Sequence, residues 1–167
     1  QDGAVFAVGA LAELLLPSSS PFASSKSSKG VKMAAKYRGQ LEGLMMRFVV
    51  PELTASEPHM RLRAAWCVGR YAGLDWTAES NATAAVAGLV RLLGDEAQLP
   101  VQAAAAAGLK FLFEQDHESS PVLASALRAV AVPHLAEIVR KYLEIMAKVG
   151  SDDVVAGLEA LVDAFPV

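Results

Sequence analysis

The chain has 167 residues with a formal net charge of -3, and 53% of its residues are hydrophobic. A negative balance argues against a general nucleic-acid binder, which needs a basic face, so we expect no direct nucleic-acid partner. The single cysteine, Cys67, excludes an internal disulfide framework and a cysteine-based zinc site. A charge or a loop interrupts each apolar window well short of the ~18 residues of a membrane span, so we expect no membrane partner.

Helical periodicity runs through most of the chain. Residues 3–16 are apolar on most of their circumference, which predicts a buried helix. Residues 37–50 carry apolar side chains at i, i+3, i+4, i+7 and i+8, which predicts an amphipathic helix that Pro51 closes. Residues 60–74 predict a buried helix, and Thr77 is expected to cap the next one. Further helices are predicted at residues 78–93, 101–113 and 154–165.

Two stretches leave alternatives open. Residues 121–148 are interpreted as two helices, 121–132 and 133–148, or as one helix broken at Pro133. Residues 17–36 contain seven serines and four lysines and lack the apolar content of a packed element. We expect a mobile loop there, with a phosphorylation target or a localisation signal as the alternative.

An internal repeat relates the predicted helices. Met60 and Arg61 recur as Val101 and Gln102 after 41 residues, and two-helix units of roughly 40–47 residues are typical of HEAT and armadillo repeats. The expected fold is an all-α superhelix of about three to four helical pairs that share one continuous core. Residues 1–167 are expected to form one segment of a larger protein.

No residue group in the sequence indicates catalysis, so we expect neither an enzyme nor a cofactor. His59, His117 and His134 lack the spacing of a metal site. Trp66 is expected in the core, whereas Trp76 is assigned equally well to the core or to a surface anchor.

Charged residues are the candidates for protein binding. The loops between paired helices are acidic, and stacked loops would form an acidic ridge for lysine-rich cargo. The alternative is local, because carboxylates near helix N-termini complement the helix dipole. Arg61 and Arg63 are candidate contacts on the helix of residues 60–74. The complete set of candidates is Glu57, Arg61, Arg63, Asp95, Glu96, Asp152 and Asp153.

Two runs carry a family resemblance. The stretches VVPELTASEPHMRLRAAWCVGRY and LLGDEAQLPVQAAAAAGLKFL resemble middle repeats of the importin-β superfamily, nearest to the importin seven/eight type of nuclear import receptor. Gln102 departs from the pattern, since HEAT repeats often place a basic residue there. This departure weakens the case for a ladder of side chains that joins neighbouring repeats at that position. The residues that carry the resemblance are Pro51, Met60, Arg61, Arg63, Ala64, Trp66, Asp95, Leu99, Pro100 and Val101.

The resemblance implies a function in nuclear transport. Such receptors are large HEAT solenoids that carry protein cargo through nuclear pores, bind RanGTP and touch Phe-Gly nucleoporins. It implies that this chain is an internal, protein-binding piece that shuttles between cytoplasm and nucleus. Ran and nucleoporins would be bound through the full-length parent. The alternative is a HEAT or armadillo scaffold subunit of another complex, such as a phosphatase or a coat-type adaptor.

Overall fold

The computed structural model describes residues 2–16, 39–95, 98–115 and 117–165, so the predicted loop at 17–36 and the candidate Glu96 lie outside it. Regular structure in these ranges is helical throughout. The helices are α1 (Asp2–Ala10), α2 (Ala12–Leu15), α3 (39–48), α4 (Pro58–Arg70), α5 (Glu79–Leu93), α6 (Leu99–Phe113), α7 (Pro121–Ala131), α8 (Leu135–Lys148) and α9 (Asp152–Ala164).

The helices pack in two rows. One row holds α1, α4, α6 and α9, each in contact with the next. In the other row α5 packs on α7, and α3 reaches the start of α5 through Glu42. Within the pairs, α5 packs on α6 and α8 packs on α9. This arrangement confirms the predicted all-α array of HEAT type.

Short-range chemistry explains where several helices begin. Pro58, Pro100 and Pro121 stand in the first turns of α4, α6 and α7, where a missing backbone N–H costs nothing. The prediction that Thr77 caps the next helix is wrong. Ala78 holds the N-cap position of α5 without a side-chain cap, because the Thr77 hydroxyl is bonded to Glu42 on another helix.

The helix 37–50 ends earlier than predicted. A 3-10 helix at Val50–Thr54 follows α3, with Pro51 in its first turn. It buries Leu53 against α5, where a Cβ added to Gly88 would lie 2.5 Å from Leu53 Cδ1. The turn thus fills the space between α4 and α5, both of which it contacts.

Residues 121–148 form one helical stretch interrupted at Pro133. The 3-10 segment Val132–His134 joins α7 to α8 there, because proline supplies no amide hydrogen to continue the helix. By length and composition alone, Pro121–Lys148 could cross a membrane. Its halves pack instead against α5, α6 and α9, so we interpret the stretch as the bent first helix of the last pair.

The core runs unbroken between the two rows. One side of α4 is buried in this core, with Cys67 fully covered. Its buried residues include Met60, Ala64, Cys67 and Val68, and Tyr71 follows them directly after the helix. Trp76 is also buried, so it is not a surface anchor. Trp66 is only half-buried and packs on the edge of the core.

Candidate protein-interaction surface

A charged pair joins two neighbouring repeats beside the loops that connect paired helices, an edge that we call the loop edge. The guanidinium of Arg61 on α4 donates from Nε to Asp95 Oδ2 over 2.9 Å, and Nη2 lies 2.8 Å from the same oxygen. Nη1 donates to the carbonyl oxygens of Ala55 and Ser56 at 2.9 and 2.8 Å. Arg61 therefore fixes its own loop and the loop of the following repeat together.

The next repeat lacks this connection. Gln102, which takes the place of Arg61 after the 41-residue period, is buried and donates from Nε2 to the Leu93 carbonyl oxygen over 2.9 Å. It closes the end of α5 in its own repeat.

Two of the predicted acidic residues that the structure describes are paired with cations. Asp95 is bound by Arg61, and Asp153 lies 3.1 Å from Lys110 Nζ. Glu57 and Asp152 are exposed at the N-termini of α4 and α9. Glu57 and Asp152 are therefore exposed carboxylates, whereas Asp95 and Asp153 are each paired with a cation.

Arg63 lies elsewhere, on the exposed face of the second-helix row. Its guanidinium lies 5.0 Å from the ring centroid of Phe6, and Nε lies 3.4 Å from Asp2 Oδ1. Phe6 stacks on Trp66 with centroids 5.6 Å apart, and Arg70 lies 6.0 Å from the Trp66 centroid. Cations over aromatic rings are favourable contacts, so these side chains order one another. We call the surface formed by Arg63, Phe6, Trp66 and Arg70 the aromatic face.

The surface continues across α6. A groove of about 230 Å³ lies between Trp66 and Phe111, and Lys110 Nζ lies 5.2 Å from the centroid of the Phe111 ring. At the bottom of the groove the backbones of α4 and α6 approach closely, since a Cβ added to Gly69 would lie 2.9 Å from Gly108 Cα. The sequence patterns did not indicate this groove. The signal that could have found it is an aromatic residue with a basic residue nearby on both α4 and α6: Trp66 with Arg70, and Phe111 with Lys110.

A second recess lies where α6 meets α9. It measures about 560 Å³ and is lined partly by four carboxylates. The sequence analysis missed it because its residues come from two separate segments. Spacing gave one signal, as positions i and i+4 of α9 are both acidic. The carboxylates are those of Glu114, Glu118, Glu159 and Asp163.

The described residues offer little reactive chemistry. They contain no group of three or more His, Cys, Asp or Glu side chains placed to hold a metal. Burial raises the pKa of the Cys67 thiol to about 12, against a smaller opposing effect of Arg70, so the thiolate is scarce. Asn81, which forms a glycosylation sequon with Thr83, donates its amide to Glu42.

Paired helices in two rows, joined by a charged pair between loops, define a helical-repeat segment of HEAT type. No family model and no solved structure matches the chain. It is 25% identical over 165 residues to "Importin beta-like SAD2 homolog" of Arabidopsis thaliana. It is 24% identical over 162 residues to importin-8 of Homo sapiens and of Mus musculus.

These matches cover 97–99% of the chain but only 13–14% of the length of the relatives. The chain is a homologue of importin-β-like proteins of the importin-8 and SAD2 type, as the resemblance predicted. The three relatives bear the names of importins and not of enzymes, in agreement with the expectation of a non-enzymatic chain.

Proposed function

We propose that the chain is a protein-binding HEAT-repeat segment of a nuclear transport receptor. The observation that carries this proposal is the likeness to importin-8 and to the SAD2 homolog along nearly the whole chain. The parent protein would import cargo into the nucleus in a Ran-dependent way and would shuttle through the pore. RanGTP and Phe-Gly nucleoporins would be bound by the parent as a whole.

Within the segment, we assign cargo contacts to the loop edge. Glu57 and Asp152 are exposed there and point to a partner with lysines, since carboxylates on one edge steer cationic chains. Arg61 and Asp95 support the edge by holding two loops together, and Lys110 holds Asp153. Glu96 belongs to the same proposal by sequence, and Arg63 belongs to the aromatic face.

Binding of a lysine-rich peptide, followed by fluorescence anisotropy at low and high salt, tests this assignment. The double variant Glu57→Lys/Asp152→Lys should lose most of the binding, because it reverses the edge without breaking the Arg61 or Lys110 pairs. The matched control is Glu159→Lys/Asp163→Lys, which makes the same change of charge in the recess of α9. Equal loss in both variants, or no loss in the first, would refute the loop-edge assignment.

The transport role itself is tested on the parent protein. A titration with RanGTP should give saturable binding and release of bound cargo. A parent that binds no RanGTP would favour the alternative, a scaffold subunit of another complex. That outcome leaves the peptide experiment on the segment meaningful, because the two measurements are independent.

A further inference from the structure

The two complete contacts between neighbouring repeats differ in how they are tied. We call the contact of α4 with α6, together with that of α3 and Val50–Thr54 with α5, the first interface. The contact of α6 with α9, together with that of α5 with α7 and α8, is the second interface. We propose that the segment bends at the second interface while the first moves as one rigid unit.

Three separate polar connections cross the first interface. Arg61 binds Asp95 at the loop edge, with both side chains less than a fifth exposed. Arg91 donates from Nη2 to the carbonyl oxygen of Leu53 near the same edge, since Arg91 lines one recess together with Arg61 and Asp95. At the far edge, the carboxylate of Glu42 accepts bonds from residues at the start of α5.

The positions of these connections oppose rotation. A single contact fixes a distance, but contacts at both edges fix an orientation. All three involve a charged group and are partly buried, which makes each one stronger than a neutral or exposed bond. The close approach of the Gly69 and Gly108 backbones leaves no layer of side chains that could slide between α4 and α6.

A buried hydrogen bond also crosses the second interface. Tyr142 on α8 donates its hydroxyl hydrogen to the Ala106 carbonyl oxygen of α6 over 2.7 Å. Its ring also touches α9, where a Cβ added to Gly157 would lie 2.7 Å from it. In our proposal this buried bond is the point about which the second interface bends.

Two further connections of the second interface lie at the surface. Lys110 meets Asp153, which is 62% exposed, and Ser125 donates to Glu79 over 2.6 Å at an exposed site. Water and salt compete with such bonds, so they restrain little. The loop between α8 and α9 also has Gly150 at the second position after its helix, the position that Asp95 holds after α5. At the second interface Gln102 and Gly150 therefore take the places of Arg61 and Asp95, and neither residue is charged.

The test measures distance distributions in the complete chain by double electron–electron resonance. Nitroxide labels at His59→Cys and Ser80→Cys span the first interface, and labels at Ser80→Cys and Glu159→Cys span the second. These three positions are exposed, whereas Cys67 is fully buried and should stay unlabelled. We expect a broader distribution across the second interface than across the first.

Variants separate the polar connections from general packing. Arg61→Gln should broaden the distribution across the first interface, and Lys110→Gln, the matched control, should leave it unchanged. Glu42→Gln tests the same interface from its other edge if Arg61→Gln folds poorly. The proposal fails if the first interface is as broad as the second in the unmodified sequence, or if neither loosening variant broadens it.

Discussion

The first and second interfaces join equivalent helices with different chemistry. At the first, a guanidinium on α4 reaches a carboxylate in the following loop. At the second, the equivalent side chain is Gln102, which turns inward to its own repeat. The loops differ too, with five residues (94–98) between α5 and α6 and three (149–151) between α8 and α9. Repetition of the helices therefore does not entail repetition of the bonds between them.

The difference shows which part of a repeat is set by pattern and which by individual residues. Apolar periodicity is enough to pair the helices and to stack the pairs, because burial is not directional. Orientation between neighbours depends on few polar bonds with defined geometry. A repeat array can thus keep its architecture while its stiffness varies from one interface to the next.

The largest expected effect is that of breaking the charged pair at the first interface. Arg61→Gln removes the bonds to Asp95 and the anchors on Ala55 and Ser56, and should lower the free energy of unfolding by about 2–3 kcal/mol. Lys110→Gln removes a charged pair of the second interface and should cost less than about 1 kcal/mol, because its partner Asp153 is exposed. Urea denaturation of both variants measures the contrast. Equal losses would remove the distinction between the interfaces.

The Arg61 pair also shows how far the sequence could be interpreted. The 41-residue period and the helical stripes predicted the helices and their stacking in pairs. Arg61 and Asp95 were both selected as candidates, but as contacts to a partner. Their mutual bond joins residues 34 positions apart, and periodicity gives the face of a helix but not the rotation of its neighbour.

Glu42 illustrates the other limit. It lies in an amphipathic helix, where a carboxylate is ordinarily a solvated residue, yet it is buried. It caps α5 from a distance of 35 positions in the chain. The sequence pattern pointed to a local cap, Thr77, and could not indicate that a carboxylate on another helix takes that role. The aromatic face was missed for the same reason, because Phe6 meets Trp66 only once α1 lies on α4.

The next effect concerns Glu42 and the dependence of stability on pH. Burial raises the pKa of its carboxyl, but hydrogen bonds from Thr77, Asn81 and Ala78 outweigh that effect and leave the pKa below its usual value. A lowered folded pKa stabilises the protein above the unfolded pKa of about 4.3. This stabilisation is lost as the pH falls through the folded pKa.

Glu42→Gln should therefore cost about 2 kcal/mol at pH 7, because the hydrogen bonds lose their charged acceptor. The same variant should flatten the fall in stability between pH 5 and the acid transition. Thermal unfolding at several pH values measures both. The matched control is Glu137→Gln on the exposed face of α8, which should change neither quantity much. If the stability of Glu42→Gln fell with pH in parallel with that of the unmodified chain, the lowered pKa of Glu42 would not be the cause of the pH dependence.

A smaller effect is expected where the backbones of α4 and α6 meet. Gly69→Ala adds a methyl group 2.9 Å from Gly108 Cα, and the overpacking should cost about 1–2 kcal/mol. Gly43→Ala is the control, because Gly43 is exposed in α3 and a Cβ there meets nothing within 4 Å. It should stabilise the helix by about 0.5–1 kcal/mol. Opposite signs are the decisive outcome, and stabilisation by both changes would show that the helices can separate without cost.

The smallest effect concerns the pivot of the second interface. Burial raises the pKa of Tyr142, so its hydroxyl remains a donor to Ala106 at ordinary pH. Tyr142→Phe keeps the ring against Gly157 and removes one hydrogen bond, at a cost of about 1 kcal/mol. Tyr71→Phe is the matched variant, since the Tyr71 hydroxyl donates to the Val8 carbonyl oxygen of α1 over 2.9 Å.

The two tyrosine variants should differ in location more than in size. Amide hydrogen exchange should rise in α9 for Tyr142→Phe, because that bond joins α6 to α8, on which α9 packs. For Tyr71→Phe the rise should be confined to α1, since the connections of the first interface remain. If Tyr142→Phe instead raised exchange evenly from α4 to α9, the two interfaces would be coupled as one cooperative unit. Bending would then be shared between them and not concentrated at Tyr142.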